Sequence, residues 1–574
     1  MNYMEKYNEW ISSPYFDEET KEELLKIKDD EKEIEDRFFK ELEFGTGGLR
    51  GVIGAGTNRI NKYNIRKATQ GLANYILKNV ENAKNRGVVI AYDSRHKSPE
   101  FAKEAALVLN ANGIKAYLFE SLRTTPELSF TVRELGCAGG IVITASHNPP
   151  EYNGYKVYGE DGGQLVPKFA NMVIEEIRNI NDFSEVKYID EKEALDKGLL
   201  NIIGEEIDRK YIDKVKSLVI RKDVIENMKD FKIVYTPLHG TGAMPVKRVL
   251  NEIGFENVIV EPKQEIPDSN FSTVKYPNPE EHDAFKLAIK LAEKENADII
   301  IGTDPDCDRV GAVVKNKNGE YVVLTGNQTG ALLIDYILSS MESIPKNGVI
   351  VKTIVTSELG AVIAKSYGVE VINTLTGFKF IGEKIKEFEQ NKDKKFIFGY
   401  EESYGYLAGT FVRDKDGVIA SMLIAEMAAY YKSKGMTLLD GLKNIYEKYG
   451  YYKEDLKSIT LKGKEGIEKI GRIMNDFRNN PPLNIEGIRV KIIRDYKESL
   501  SKNILDKTEN KLDLPKSNVL HFTLEDGSWF AIRPSGTEPK IKIYFSVVSD
   551  SEKNAEDKLN IIRKFVLDKI NEIE

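Results

Sequence analysis

Cysteine is nearly absent from this chain, with only Cys137 and Cys307 in 574 residues. Two cysteines cannot build a disulfide framework, which excludes the stapled secreted folds and fits a reducing cytoplasm. A basic surplus is missing too. Lys and Arg total 83 against 91 Asp and Glu, a net charge of −8. The broad basic face of a nucleic-acid binder is therefore not available, and an anionic ligand needs a locally positive cleft. No apolar run approaches the roughly 20 residues of a membrane helix, and the polar start Met-Asn-Tyr-Met-Glu-Lys-Tyr lacks a signal-peptide core. Low-complexity linkers are lacking as well, so the domains are expected to pack around a shared cleft. These absences predict a cytoplasmic protein with neither nucleic-acid nor membrane partners. Whether it is a monomer or a dimer stays open.

What is present is an ordinary globular composition, 41% hydrophobic and 30% charged, in a chain too long for one core. The first forty residues are charged and helical in pattern (Glu18 to Glu41) and predict a solvated arm. Beyond them, β-branched runs alternate with amphipathic stretches, the rhythm of α/β units. The runs come in pairs. Val88 to Ala91 exits into Tyr92-Asp93-Ser94-Arg95, and its partner Gly140 to Ile143 exits into Thr144-Ala145-Ser146-His147-Asn148-Pro149-Pro150. Ile233 to Tyr235 exits into Thr236-Pro237-Leu238-His239-Gly240, and Asp298 to Ile301 into Gly302-Thr303-Asp304-Pro305-Asp306-Cys307-Asp308-Arg309. Val349 to Lys352 exits into Thr353 to Ser357, and Phe396 to Phe398 into Gly399-Tyr400-Glu401-Glu402-Ser403-Tyr404-Gly405. One plan used three times predicts three related α/β domains, over 1–205, 206–325 and 326–455. A smaller α+β domain is expected over 456–574, with Phe530 to Val547 strand-like and a charged closing helix from Glu552 to Ile573.

The loops carry the chemistry. Extended backbone points alternate side chains the same way, so Asp304, Asp306 and Asp308 are expected to converge as three hard oxygen donors suited to Mg²⁺. An EF-hand is excluded, because its sixth and twelfth loop positions would be Arg309 and Lys315. A solvated acidic turn is the other reading, disfavoured because three carboxylates repel unless a cation sits between them. Cys307 reads as a spacer. Ser146, delivered by a buried run and followed by Lys156, reads as a nucleophile or as a plain turn residue. The flanks are not those of a Gly-x-Ser-x-Gly hydrolase. His147 should project away from its neighbour Ser146, and is left to orient the loop, to line the metal site or to serve as a purely structural hydrogen-bonding residue.

Taken in order, these loops resemble the α-D-phosphohexomutase superfamily, the phosphoglucomutases and phosphomannomutases. The matching segments are Phe44 to Gly51, Thr144 to Pro150 with Asn153-Gly154-Tyr155-Lys156, Asp304 to Arg309, Gly399 to Gly405, and Arg533-Pro534-Ser535-Gly536-Thr537-Glu538-Pro539-Lys540. The resemblance runs from about residue 40 to the end of the chain. It implies that Ser146 is carried as phosphoserine, with Mg²⁺ held by its phosphate and the three aspartates. It further implies that Arg50 and Lys156 contact the transferring phosphoryl group, with Arg309 beside them on the substrate side. Glu401 and Ser403 would hold sugar hydroxyls, while Arg533, Ser535, Gly536 and Thr537 clamp the other phosphate. Thr376-Gly377-Phe378-Lys379 would complete the sugar side. Some members carry a Gly-His after the Glu-x-Ser unit, whereas this chain has Gly405-Tyr406. The glucose-type branch has a lysine in an Arg-x-Lys-Asp-Gly stretch, here Arg413 to Gly417, so Lys415 is the expected proton acceptor, with Lys156 the alternative. Either lysine can serve only if its pKa is lowered. The implied activity is interconversion of glucose 1-phosphate and glucose 6-phosphate through glucose 1,6-bisphosphate. Pentose or mannose phosphates, a metal-dependent phosphatase and a non-catalytic sensor are the rivals.

Overall fold

The computed structural model describes residues 2–45, 47–461, 463–535 and 540–573, leaving aside the side chains of 463 and 464. It divides into two compact units, Met1–Gly326 with Phe378–Thr437, and Asn327–Gly377 with Leu438–Glu574. Among the described residues no helix is long and apolar enough to cross a membrane.

The first unit opens with three helices, α1 (Tyr3–Ser12), α2 (Glu18–Leu25) and α3 (Glu31–Phe38). Each is started by an Asn or Asp whose side chain accepts a free backbone N–H: Asn2, Asp17 and Asp30. The expected solvated arm is corrected here. Tyr7, Trp10, Phe16 and Phe38 are buried with Tyr63 in an aromatic cluster, Trp10 stacked on Phe16 at 4.1 Å between centroids. The few large aromatic rings outweigh the polar majority of the arm, because each buries far more apolar area than an aliphatic residue.

A six-stranded mixed sheet follows, made of β1 (Leu49–Val52), β2 (Val88–Tyr92), β3 (Ala116–Phe119), β4 (Gly139–Ile143), β5 (Tyr152–Gly159) and β6 (Leu200–Ile203). Its order is β1-β5-β4-β2-β3-β6, with β2, β3, β4 and β6 parallel. Strands β2 and β4 are buried along their whole length, as continuous apolar runs covered on both faces must be. The chain leaves β2 toward β3 on one side and returns to β4 on the other. That reversal opens a crevice beyond the strand carboxyl ends, where Asp93 and Ser146 lie.

The same construction recurs with β7 (Lys232–Thr236), β8 (Asn257–Val260), β9 (Ile299–Thr303), β10 (Val310–Lys315) and β11 (Tyr321–Val323), ordered β11-β10-β9-β7-β8. Here the reversal falls between β7 and β9, and the acidic loop leaves β9 at that point. In the third region, β12 (Gly348–Thr353) and β13 (Glu370–Thr374) pair in parallel within the second unit. In the first unit, β14 (Lys395–Glu401) and β15 (Gly405–Ala408) pair as an antiparallel hairpin holding the Glu401–Ser403 turn. The rest of the second unit is built on an antiparallel sheet that includes, in order, Tyr451–Thr460, Lys540–Ser549, Trp529–Pro534, Leu520–Leu524 and Ile488–Asp495. The closing helix Glu552–Glu572 packs on this sheet through Ala555, Leu559, Ile562, Val566 and Ile570.

If the aromatic cluster holds the arm, Trp10→Ala should cost about 3–5 kcal/mol of local stability. Amide hydrogen exchange should then accelerate across residues 3–38 and not in β2 or β4; unchanged arm exchange would refute the assignment.

Candidate active site

Ser146 sits in the left-handed backbone region, φ 53°, at the tip of the β4–β5 connection, and is buried. Its hydroxyl donates to Asp304 Oδ2 at 2.7 Å, joining loops 158 residues apart in sequence. The left-handed turn also corrects the expectation for His147. Instead of projecting apart, the adjacent side chains swing together, and His147 Nδ1 lies 3.2 Å from Ser146 Oγ. Burial, with Arg309 and Arg50 nearby, pushes the imidazole well below its ordinary pKa and keeps it neutral.

The three aspartates do converge, but not through extended backbone. The segment after β9 is a tight turn with Cys307 at φ 56°. Asp304 Oδ1 closes it by accepting the backbone N–H groups of Asp308 (3.1 Å) and Arg309 (3.0 Å). Donor oxygens of all three carboxylates then lie within 4.8 Å of one another, and all three residues are buried. Gly240 lets this turn be packed from below. A Cβ there would stand 2.4 Å from Pro305 Cα, and Thr241 donates both its N–H and its hydroxyl to the Pro305 carbonyl. Cys307 is enclosed, the place of a spacer: a Cβ on Gly242 would come within 2.9 Å of its sulfur.

Cations balance the acids. Lys156, on β5 opposite Val142, donates to Asp306 Oδ2 at 2.7 Å and Asp308 Oδ2 at 3.3 Å. Lys415 reaches Asp308 Oδ2 at 3.2 Å and Asp414 Oδ1 at 3.1 Å. Arg309 pairs with Glu280, and Arg50 reaches Asn148 Oδ1 at 3.4 Å. Burial pulls the pKa of Lys156 and Lys415 down, but the facing carboxylates outweigh it and both end above the ordinary lysine value. The lowered pKa that a proton acceptor requires is therefore not found at either. Lys379 differs. Burial brings it down to about 8, against the opposing pull of Asp414 and Glu401.

Glu401 ends β14 and is buried; Ser403 follows in a half-buried turn. The Val310 N–H donates to the Tyr404 carbonyl, tying this turn to the strand after the acidic turn. Arg533 and Ser535 belong to the second unit, Arg533 paired across its sheet with Lys542 and Ser535 N–H donating to the Lys540 carbonyl. Thr376 and Gly377 also belong to that unit. Gly536 and Thr537 lie outside the described residues.

The sequence matches models of all four domains of phosphoglucomutase/phosphomannomutase: the alpha/beta/alpha domains I, II and III over residues 28–183, 209–319 and 325–449, and the C-terminal domain over 483–560. The chain belongs to this family. A phosphoglucomutase of Staphylococcus haemolyticus is 42% identical over 531 residues, covering 92% of this chain and 94% of the relative. One of Staphylococcus saprophyticus is 38% identical over 545 residues, 95% and 96% of the two chains. The fold is shared with the exocytosis-sensitive phosphoprotein pp63/parafusin of Paramecium in its open form, at a TM-score of 0.69 and 18% identity, covering 93% of this chain and 95% of that one.

For a member of this family, the acidic turn fits a hard dication. Asp306 Oδ1 and Asp308 Oδ1 are buried with no hydrogen-bond partner, an arrangement that a coordinating cation would relieve. Several residues around the site escaped sequence reading. Thr125, at the start of the helix Thr125–Glu134, donates its hydroxyl to Asp306 Oδ2 at 2.8 Å and its N–H to the Asp306 carbonyl. Tyr158 donates to Asp414 Oδ2 at 2.8 Å, and Asp414 in turn holds Lys415. Thr124-Thr125-Pro126 carries the cap and proline that start a helix, but nothing in the sequence says which loop that start meets.

Mg²⁺ added to chelator-treated protein should stabilise the fold by about 2.7 kcal/mol at a hundredfold excess over Kd, so the thermal midpoint should rise with concentration. Asp306→Asn should remove most of that shift. Identical melting with and without Mg²⁺ would reject the metal site.

Proposed function

We propose that this chain is a phosphoglucomutase, interconverting glucose 1-phosphate and glucose 6-phosphate, with Ser146 carrying the phosphoryl group. The observation that carries the reading is the meeting of the Ser146 hydroxyl with Asp304, inside a buried cluster of three carboxylates balanced by Lys156 and Lys415. Phosphoryl transfer asks mainly for charge neutralisation and alignment, and this site is built for both. Bound by the three aspartates and the Ser146 oxygen, Mg²⁺ would supply neutralising charge.

In the first half-reaction, the bond between Ser146 Oγ and phosphorus breaks as a free sugar hydroxyl bonds to phosphorus. The hydroxyl proton passes to a base, and the electron pair returns to Oγ. The resulting glucose 1,6-bisphosphate turns over and gives its other phosphate back to Ser146. Lys156, held by Asp306 and Asp308, and Arg50, held by Asn148, are cations suited to the oxygens in flight. Glu401 and Ser403 are suited to accept from and donate to neighbouring sugar hydroxyls. Arg533 offers a planar fork, with Ser535 beside it, for the phosphate that is not moving. Two buried, unpaired cysteines agree with a cytoplasmic enzyme.

A panel of glucose, mannose and ribose 1-phosphates, ranked by kcat/KM, tests the substrate, and glucose should lead by at least tenfold. Ser146→Ala should abolish turnover and phosphate incorporation together. Release of inorganic phosphate in place of isomerised sugar would point to a phosphatase instead.

Lys379 gives a pH signature. Its ammonium, on the sugar side of the proposed site, is lost as pH rises through about 8. Because kcat/KM reports groups of the free enzyme, it should fall above that pH, and Lys379→Arg should flatten the fall. A rise through the same pH would make Lys379 the proton acceptor.

A further inference from the structure

The Tyr92-Asp93-Ser94-Arg95 exit loop has no part in the transfer chemistry, yet its side chains are buried against the serine loop. The Arg95 guanidinium donates to four carbonyls of that loop: Nη1 to Pro149 (2.7 Å) and Tyr152 (3.1 Å), and Nη2 to Ser146 and Asn148. Asp93 lies beneath. Its Oδ1 accepts from the Arg95 N–H (2.9 Å) and the Ser98 hydroxyl (2.8 Å), and its Oδ2 lies 3.3 Å from Arg95 Nε. The same Oδ2 accepts the Thr144 hydroxyl at 2.6 Å, and Thr144 Oγ1 in turn accepts the Ser146 N–H at 2.7 Å. Carboxylate, threonine and serine backbone thus form one continuous chain of hydrogen bonds. Phe271, from the neighbouring α/β domain, covers the guanidinium face at 4.8 Å.

We propose that Asp93, Arg95 and Thr144 are positioning residues that keep Ser146 aimed at the transfer site while it carries no phosphate. The inference rests on the phosphoserine reading above. During each cycle the serine is bare while the bisphosphate turns over, so contacts made by its phosphate cannot hold the loop at that moment. Ser146 occupies a backbone region that L-residues avoid, and a loop released there relaxes to ordinary angles and swings the hydroxyl off line. The network uses backbone carbonyls, two backbone N–H groups and buried side chains, none of which changes bonding during transfer. Drawing four carbonyls onto one guanidinium also leaves the hydroxyl side of the loop facing the acidic turn. A lysine cannot substitute, because one ammonium has three donors and no planar fork.

The test uses the full-length protein, stripped of phosphate and incubated with glucose 1,6-bisphosphate, with phosphoserine followed by intact mass. Thr144→Val removes the bridging oxygen, while Thr144→Ser retains it. Thr144→Val and Arg95→Lys should slow phosphate uptake by about 100-fold, the effect of an ångström-scale misplacement. Thr144→Ser should recover most of the rate. KM for glucose 1-phosphate should stay within about threefold, since none of these groups touches the sugar. Hydrogen exchange should quicken at residues 144–152 and nowhere else, and more bisphosphate should escape per turnover. Wild-type uptake rates in Thr144→Val and Arg95→Lys, or equal losses in the valine and serine variants, would overturn the proposal. If Arg95→Lys does not fold, the Thr144 pair decides alone. Should the wild type itself take up no phosphate, the phosphoserine reading falls, and exchange at residues 144–152 still judges the network.

Discussion

Three carboxylates buried side by side repel one another and forgo hydration, and the architecture of the first unit follows from making that tolerable. Asp304 is stabilised by two backbone N–H groups and the serine hydroxyl, Asp306 by Thr125 and Lys156, and Asp308 by Lys156 and Lys415. Beyond the turn's own N–H groups, these partners come from three separate stretches of chain: Thr125, the Ser146–Lys156 segment and Lys415. The acidic turn is therefore the point at which domain 1, domain 2 and the Arg413–Gly417 segment are bound into one unit. Removing a single partner leaves an uncompensated buried charge, far costlier than losing a surface ion pair. The same concentration of negative charge makes the place attractive to a dication and, through it, to phosphate.

The repeated α/β plan divides labour between paired strands. In the first two domains the second strand of the pair delivers the reactive loop, Ser146 after β4 and the aspartates after β9. The leading strand delivers the support: Asp93 and Arg95 beneath the serine loop, Gly240 and Thr241 beneath Pro305. This follows from topology. Both strands end at the same reversal of strand order, so their loops must pack against each other whatever they contain. A supporting loop can then be dense in hydrogen bonds while the loop above it keeps unusual backbone angles, as at Ser146 and Cys307.

Much of this was legible before any coordinates. The apolar runs that became β2, β4, β7 and β9 are strands because β-branched residues buried on both faces suit little else. The order of the polar loops identified the family, since each loop needs particular residue types for anion, metal or sugar contact. The arm was misjudged because a window dominated by charge conceals four aromatic residues that find Tyr63 beyond it. The convergence of the aspartates was foreseen through the wrong backbone geometry. His147 faces Ser146, against the sequence expectation, because a left-handed serine leaves no mark in the sequence.

By itself, then, the sequence determined the strands, the identity and order of the reactive loops, and the choice of hard oxygen donors. These are properties of short windows, set by side-chain chemistry and a period of two or 3.6 residues. Tertiary structure alone decided the direction in which each of the three lysine pKa values moves, the pairing of His147 with Ser146, and which side chains stand behind the serine and acidic loops. Charge state and hydrogen-bond partnership depend on what lies within a few ångströms, and here those neighbours are separated by as many as 256 residues of chain.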